Sequence, residues 1–279
     1  MRQPYSVFEK KQRSAFRAPQ NAEIVESNGR NLPIGLTVEN LRIGGNPIGG
    51  GVMEYIARIR NDFKDKFGIP RQSGRVKNIS KIGFEPKYRD PQSLRGIEAF
   101  SHLWILFDFS LARREDGGWS PTVRPPRLGG NERMGGFATR SPFRPNGIGL
   151  SSVRLVGVSH NAADGTFLTV EGADLLDGTP IYDIKPYLPY CDCHVDAAGG
   201  FADAFVDHRL VVNDPDGVLR ALPEADAAVV RDCIAEDPRP AYKTDGEEYA
   251  MRYGDFDVSF YASGTEATIT RVRKIQKGR

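Results

Sequence analysis

The chain has 279 residues, of which 39% are hydrophobic and 27% are charged, and its formal net charge is +2. No stretch approaches the roughly 18 apolar residues that a membrane-spanning helix requires, so no membrane span is predicted. Because 38 Lys and Arg nearly balance 36 Asp and Glu, the protein is not a polycation, and any nucleic-acid surface has to come from a local concentration of charge.

The first 52 residues are rich in Asn, Gly, Pro and charged residues and show no periodic apolar pattern. We expect them to form an extension that is disordered or loosely attached. They include a glycine-rich run at residues 44–51. A phosphate-binding loop needs a strand before it and a helix after it, and neither is clear here, so a linker is favoured. Met53 begins the first regular alternation and is an alternative candidate for the start of translation.

Short strand patterns separated by turn residues occupy residues 53–195. Residues 102–109 (HLWILFDF) form a short apolar run suited to a strand buried on both faces, and residues 148–158 have β-forming spacing. Asp164-Gly165 follows the second run and predicts a hairpin, because glycine tolerates positive φ. We predict a mainly β fold, with a small closed barrel, not a Rossmann fold, over residues 53–195.

Residues 196–279 change character and predict a smaller α+β domain. Residues 223–236 contain good helix formers with a proline near the first turn and early acids, and the DPRP segment that follows stops the helix. Residues 255–262 and 265–272 alternate with period two and predict a second hairpin around Ser263-Gly264.

The densest concentration of positive charge lies in residues 120–150, where a single acid, Glu132, accompanies five arginines: Arg124, Arg127, Arg133, Arg140 and Arg144. Prolines and glycines keep much of this segment in irregular loops. Arginine suits phosphates and carboxylates, because its planar guanidinium donates two parallel hydrogen bonds. A solvated basic face is the alternative interpretation, and the prolines that flank Arg127 and Arg144 favour rigid presentation to a ligand.

Six blocks of the chain form a characteristic series: PRQSG at 70–74, LRGIEAFSHLWILF at 94–107, RPPRLGG at 124–130, FATRSPFRPNGIG at 137–149, DLLDGTPIYDIKPYLPY at 174–190 and DPRPAY at 237–242. In this order they resemble the TrmO-type (TsaA-like) tRNA (adenine-N6)-methyltransferases. The resemblance implies a homodimeric barrel that binds S-adenosylmethionine and methylates N6-threonylcarbamoyladenosine at position 37, in the anticodon loop of tRNA. One departure is local, since Asn61-Asp62 stands where the family usually has Ser-Pro.

The same resemblance implies which residues bind the cofactor: Pro70, Arg71, Gln72, Ser73, Gly74, Ser110, Leu111, Arg140, Leu150, Asp177, Gly178, Thr179 and Pro180. The residues that we expect to bind tRNA are Arg124, Arg127, Arg133, Arg144, Asn146 and Tyr242. Chemistry supports parts of both, because Asp177 suits the ribose diol or the ammonium of the cofactor and Arg140 suits its carboxylate. We expect Arg144 to read the carboxylate of the threonylcarbamoyl group, and Arg124, Arg127 and Arg133 to hold the tRNA backbone.

The catalytic candidates lie in the DIKPY segment. Asp183 is placed to accept the proton of the nitrogen and Lys185 to polarise the carbamoyl oxygen. An ion pair that only closes a barrel strand is an equally good interpretation of these two residues. A plain β-turn remains the alternative for residues 177–180.

The remaining signals are weaker. Residues 191–194 read CDCH, but a structural zinc site needs four ligands and no second Cys/His pair accompanies them, so no metal is expected. Only three cysteines and no apolar leader predict a reducing, cytoplasmic setting. Two other functions stay open: a non-catalytic RNA-binding barrel, and a methyltransferase of the same scaffold acting on another substrate.

Overall fold

A computed structural model describes residues 53–112, 118–162, 164–240 and 246–275. The extension predicted for residues 1–52 and the candidate Tyr242 lie outside the described residues. All described residues belong to one compact unit.

Six antiparallel strands form the larger sheet, in the order β1-β2-β7-β6-β3-β8. Their bounds are β1 Ala57–Arg60, β2 Ile79–Phe84, β3 His102–Asp108, β6 Ile148–Asn161, β7 Gly165–Glu171 and β8 Pro180–Pro186. β1 pairs with β2 on one side and with β8 on the other, so the sheet closes on itself as a barrel. A short sheet of β4 Thr122–Val123 and β5 Met134–Gly135 lies between β3 and β6 in the sequence. The prediction of a mainly β fold is confirmed.

The interior of the barrel is apolar because alternate side chains of each strand point inward. In β3, Leu103, Ile105 and Phe107 are buried, and they pack in one cluster with Ile82 and Leu168 from β2 and β7. The predicted turn at Asp164-Gly165 joins β6 to β7, and Asn161 pairs with Gly165 across it. The predicted strands and hairpin are therefore observed, but the expectation that residues 102–109 form a strand buried on both faces is wrong. Trp104 and Leu106 lie on the outer face of the barrel and are only partly buried.

The C-terminal part has a four-stranded sheet in the order β10-β11-β12-β9. Its elements are α1 Pro189–Asp192, β9 Val211–Asn213, α2 Glu224–Ala235, β10 Glu248–Tyr253, β11 Phe256–Ser263 and β12 Glu266–Lys274. The predicted helix is observed as α2, and the predicted hairpin as β11 and β12, with Gly264 at a φ of +53° in the turn. β9 and β10 were not predicted.

A second hydrophobic core lies between this sheet and α2, and includes Val230, Ile234, Val258 and Phe260. Phe63, from the connection between β1 and β2, is only 1% exposed and belongs to this core as well. The connection, residues 61–78, therefore leaves the barrel to pack against the C-terminal sheet. We call it the β1–β2 loop.

Candidate functional site

The β1–β2 loop is held against the barrel by Asp177. One carboxylate oxygen of Asp177 accepts a hydrogen bond from the backbone N–H of Asn61 (3.0 Å), and the other accepts one from Nζ of Lys64 (2.9 Å). Asn61 continues the connection, because its side chain donates to the carbonyl of Leu175 (2.9 Å) and accepts from the N–H of Phe63 (3.1 Å). Asp177, expected at the cofactor, thus also fixes the start of the loop.

The DGTP turn that follows Asp177 is bound to β1 through its backbone. Gly178 has a φ of +80°, a left-handed conformation that favours glycine, and its N–H donates to the carbonyl of Ile59. The carbonyl of Thr179 accepts from the N–H of Ile59, while its hydroxyl donates to the carbonyl of Leu176 (2.7 Å). Pro180 is the first residue of β8. The turn is a rigid end of the barrel.

The PRQSG segment lies in the second half of the β1–β2 loop and makes contacts in two directions. Pro70 is buried, and the guanidinium of Arg71 donates to the carbonyl of Arg239 (2.9 Å) in the C-terminal part. Gln72 is exposed and accepts a hydrogen bond from Nη1 of Arg140 (2.6 Å). Gly74 donates its N–H to the carbonyl of Gly172. The sequence places Arg71 in the cofactor set, and the structure gives its side chain a partner in the C-terminal part.

A half-buried carboxylate that the sequence analysis did not select, Asp174, lies near this segment. Asp174 accepts a hydrogen bond from the hydroxyl of Ser151 on β6 (2.6 Å), and the backbone of Ser73 lies close enough to lower the pKa of its carboxyl. Burial raises the pKa of the Asp174 carboxyl, and the charge of nearby Arg140 opposes that shift. The quoted DLLDGTP block contained this residue, and a second acid three positions before Asp177 was the available signal. Asp174 therefore connects the PRQSG segment with β6 and the surroundings of Arg140.

The other cofactor candidates follow β3 or lie on β6. Ser110 and Leu111 are exposed just after β3, and the carbonyl of Leu111 accepts a hydrogen bond from Nζ of Lys66 in the β1–β2 loop (2.9 Å). Leu150 on β6 is 54% exposed and Leu111 is 64% exposed. The loop thus contacts the segments around Leu111, Arg140 and Asp177, which are far apart in the sequence.

Asp183 and Lys185 are two residues apart on β8 and form an ion pair of 2.9 Å, with side chains 45% and 62% exposed. In the sheet register, Asp183 lies opposite Leu106, which itself lies opposite Leu150 on β6. Since opposite residues point to the same face of a sheet, the proposed base and the cofactor candidate Leu150 share the outer face of the barrel. The observed pair fits both the catalytic and the structural interpretation.

Four of the expected tRNA-binding residues are accessible or partly so. Arg124 and Asn146 are exposed, and exposed Arg133 donates to the hydroxyl of Thr122 (2.9 Å). Arg144 is half-buried, donates through Nη1 to the carbonyls of Gly136 (3.1 Å) and Thr139 (2.7 Å), and lies 5.7 Å from the centre of the Phe137 ring. The hydrogen bonds of Arg133 and Arg144 hold these two side chains against the backbone and hydroxyl groups of the same segment.

Arg127 lies instead in an ionic network with the DPRP segment. Asp237, whose side chain is 8% exposed, pairs with Arg127 (3.3 Å), Arg239 (2.8 Å) and Nε2 of His208 (2.9 Å). Burial by itself would raise the pKa of the Asp237 carboxyl, but the hydrogen bonds from Arg239 and His208 and the charges of Arg239 and Arg127 hold it below its usual value. The network ties residues 126–128 to the C-terminal part, and Arg127 is less available to tRNA than the sequence predicts.

In the described ranges, no group of three or more His, Cys, Asp or Glu residues is arranged to hold a metal ion. Within the same ranges, no helix has the length and apolar character to cross a membrane.

The closed antiparallel sheet and the β1–β2 loop, which contacts several of the candidate residues, define a β-barrel protein with a candidate ligand site. Comparisons with known proteins identify its family. The chain matches the tRNA-methyltransferase O N-terminal domain over residues 58–193 and the TrmO C-terminal domain over residues 219–275. The chain belongs to the TrmO family, so the resemblance predicted from its motifs is confirmed.

Individual relatives agree with this assignment. The chain is 44% identical over 215 residues to the tRNA (adenine(37)-N6)-methyltransferase of Escherichia coli, which covers 74% of this chain and 90% of the relative. It is 40% identical, with the same coverage, to a protein of Pseudomonas aeruginosa described as a putative S-adenosylmethionine-dependent methyltransferase. A crystal structure of TrmO from the same genus and species superposes with a TM-score of 0.65 and 33% identity, over 82% of this chain and all of that one.

Proposed function

We propose that this protein transfers the methyl group of S-adenosylmethionine to N6 of N6-threonylcarbamoyladenosine at position 37 of tRNA. Membership of the TrmO family and the names of relatives at 40–44% identity support the methyl transfer to tRNA adenine. The observation that carries the cofactor assignment is the β1–β2 loop, which is hydrogen-bonded to Arg140 through Gln72 and to Asp177 through Asn61 and Lys64. One region thus offers a cation, a carboxylate and backbone groups.

The chemistry of this region fits the cofactor. Arg140 provides a guanidinium for the carboxylate of the methionine tail, while Asp174 and Asp177 provide acceptors for the ammonium or the ribose diol. Exposed Leu111 and Leu150 offer apolar surface to the adenine. Pro70 and Gly74 border these groups, and the rigid DGTP turn (Gly178, Thr179, Pro180) presents backbone groups beside them. When bound, the cofactor supplies a methyl group on a sulfonium, which is a good leaving group.

The residues of the chain supply position and proton transfer. Holding the target nitrogen in line with the methyl group is the larger contribution, since positioning supplies about 7 to 11 kcal/mol in favourable cases. The lone pair of N6 is shared with the purine and with the carbamoyl carbonyl, so it becomes nucleophilic as its proton leaves. We assign the acceptance of that proton to the carboxylate of Asp183, while bound S-adenosylmethionine would supply the methyl group to the nitrogen and leave as the neutral thioether. Lys185 polarises the carbamoyl oxygen.

Substrate selectivity is assigned to Arg144. The two hydrogen bonds that the structure gives its side chain come from Nη1, so Nε and Nη2 are the atoms assigned to the threonyl carboxylate. Arg124, Arg133 and Asn146 are assigned to the tRNA backbone near the anticodon. Arg127 contributes to this surface by fixing it to the C-terminal part through Asp237.

We further propose that the protein acts as a homodimer in the cytoplasm. Large apolar side chains that a monomer leaves exposed support this, including Phe137 (71%), Phe143 (55%) and Val156 (51%). Sedimentation equilibrium measures the mass of the protein in solution. A monomeric mass at micromolar protein concentration would contradict the proposed homodimer.

The test of the proposed function is mass spectrometry of nucleosides from tRNA incubated with enzyme and cofactor. Wild-type protein should add one methyl group to threonylcarbamoyladenosine, and tRNA lacking that modification should stay unmethylated. Calorimetry with S-adenosylmethionine comes first, because absence of cofactor binding would indicate a non-catalytic RNA-binding barrel. A folded Asp177→Ala variant should bind the cofactor more weakly, and unchanged affinity would remove Asp177 from the site.

The assignment of Arg144 is tested by kcat/KM on tRNA with the free threonyl carboxylate and on tRNA in which that carboxylate is amidated. A charge-assisted hydrogen bond is worth about 1.5 to 3 kcal/mol, so Arg144→Ala should lose roughly ten- to a hundredfold of the preference for the free carboxylate. Arg124→Ala is the control, because it removes an exposed arginine of the same segment. This variant should keep the preference for the free carboxylate while lowering kcat/KM for both tRNA substrates. If Arg144→Ala retains the wild-type preference, another residue reads the carboxylate.

A further inference from the structure

The outer face of the C-terminal sheet carries charged residues that the proposed site does not use. In the strand register, Arg252 of β10 lies opposite Asp257 of β11, which lies opposite Arg273 of β12. The neighbouring row, two residues away on each strand, consists of Ala250 on β10, Ser259 on β11 and Arg271 on β12. Since side chains at i and i+2 share a face, and opposite residues share it too, these six residues form one patch. We call it the arginine face.

This face is turned away from the second hydrophobic core. Met251 and Val258, which alternate with the residues of the arginine face, are buried in that core. Arg271 is exposed and the side chain of Arg273 is 71% exposed. The cations of β12 are therefore accessible to a partner.

The arginine face encloses an open cleft of about 240 Å³, with Asp65 of the β1–β2 loop at its border. Arg273 is paired with Asp257 (2.8 Å), whereas the hydrogen bond that Arg271 makes to the hydroxyl of Ser259 is long (3.4 Å). Nε of Arg252 is buried and has no hydrogen-bond partner within the described part of the chain. Because Nε of Arg252 is not accessible, the donors of this face that an anion can reach include those of Arg271 and Arg273, and the positive charge of Arg252 lies beside them.

An aromatic residue extends the same face by one row. Tyr261 follows Ser259 at i+2 on β11, lies opposite Glu248, and is 45% exposed. Arginines beside an exposed aromatic ring suit RNA, because the guanidinium groups bind phosphates and the ring stacks on an unpaired base. A free phosphate ion would use the arginines alone.

We propose that the arginine face and Tyr261 bind a segment of the tRNA substrate outside the residue that is methylated, through its phosphates and one unstacked base. This inference rests on the proposed function for the identity of the RNA. It adds a second contact surface, on the C-terminal sheet, to the one expected around residues 120–150. The C-terminal part of the protein thereby contributes affinity for tRNA rather than chemistry.

The test is fluorescence anisotropy with an unmodified tRNA transcript, titrated at several salt concentrations. Arg271→Gln and Arg273→Gln should each weaken binding several-fold and reduce the slope of log K against log salt by about 0.7 to 0.9, the value for one lost phosphate contact. Lys274→Gln is the matched control, because it removes one charge from the same strand on the opposite face. Tyr261→Leu should weaken binding while leaving the salt slope unchanged.

Two further measurements distinguish a contact with tRNA from an effect on the folded structure. Arg271→Lys retains the charge and should restore most of the affinity, which a merely structural role of Arg271 would not require. Thermal unfolding confirms that each variant is folded. If Arg271→Gln and Arg273→Gln bind tRNA with the affinity and salt slope of Lys274→Gln, the arginine face does not bind tRNA.

The proposed function and this inference fail separately. Methylation of tRNA by the wild-type protein, combined with unaltered binding by the arginine-face variants, would overturn the inference alone. Loss of binding in these variants, combined with no methylation of modified tRNA by the wild-type protein, would uphold an RNA surface and overturn the proposed reaction.

Discussion

Replacing Asp237 by Asn should destabilise the fold more than any change at an exposed ion pair. The Asp237 carboxylate is nearly buried and pairs with Arg127, Arg239 and His208. Asp237 has a φ of +50°, a conformation that Asn adopts more readily than other residues with a side chain. Asp237→Asn therefore keeps the backbone and the volume of the side chain while removing the charge.

Removal of one partner from a buried ion pair typically costs about 3 to 5 kcal/mol, because the remaining charge stays desolvated. An amide oxygen still accepts one hydrogen bond from Arg239, so we expect the lower end, about 3 kcal/mol. For a domain of this size, 1 kcal/mol corresponds to about 2 to 4 °C in Tm. Asp237→Asn should thus lower Tm by roughly 6 to 12 °C.

Scanning calorimetry and urea unfolding at pH 7 measure this change. Asp232→Asn is the matched control, since Asp232 pairs with Arg209 at 2.9 Å but both side chains are more than 40% exposed. An exposed pair contributes at most about 1 kcal/mol. A loss below about 1 kcal/mol for Asp237→Asn, or an equal loss for the two variants, would refute the role assigned to the network.

The pH dependence gives an independent check. The pKa of the Asp237 carboxyl is held below that of an unfolded Asp, about 3.9, so the unfolded state binds its proton first as the pH falls. The stabilisation is complete above the unfolded pKa and is lost as the pH falls through the folded value. The difference in stability between wild type and Asp237→Asn should therefore be largest near neutral pH and shrink in acid. A difference that grows on acidification would have the wrong sign.

Two further predictions concern packing and the N-terminal segment. A Cβ added at Gly149 on β6 would overlap the ring of Phe107 on β3, so Gly149→Ala should lower the free energy of unfolding by about 1 to 3 kcal/mol, measured in urea. Gly157→Ala is the control, because Gly157 lies on the same strand with open space around its Cβ position, and this variant should lose less stability. Equal losses of stability in the two variants would contradict the overlap. A protein that starts at Met53 should fold and bind S-adenosylmethionine like the full chain, because residues 1–52 lack a periodic apolar pattern. Light scattering measures aggregation and calorimetry measures cofactor binding. Aggregation of the shortened protein, or loss of its cofactor binding, would contradict this prediction.

The candidate site depends on contacts between segments that the motifs do not specify. The PRQSG segment is part of the β1–β2 loop, and Asp177 of the DGTP segment accepts hydrogen bonds from Asn61 and Lys64 at the start of that loop. The sequence does not indicate the role of Asp174, because its partner Ser151 lies on another strand, 23 positions away. The sequence around Arg71 and Arg127 likewise does not indicate their partners in the C-terminal part.

The sequence by itself determined the local structure: the strands of the two hairpins, the helix after Pro223, and the family through its blocks. These features depend on residues within a few positions of one another, since turns, caps and alternation act over short distances along the chain. Only the tertiary structure decided the pairing of β1 with β8, the bond from Arg71 to Arg239 and the pairing of Arg127 with Asp237. Each of these joins residues more than 100 positions apart, and such contacts arise from the packing of whole elements rather than from any local preference.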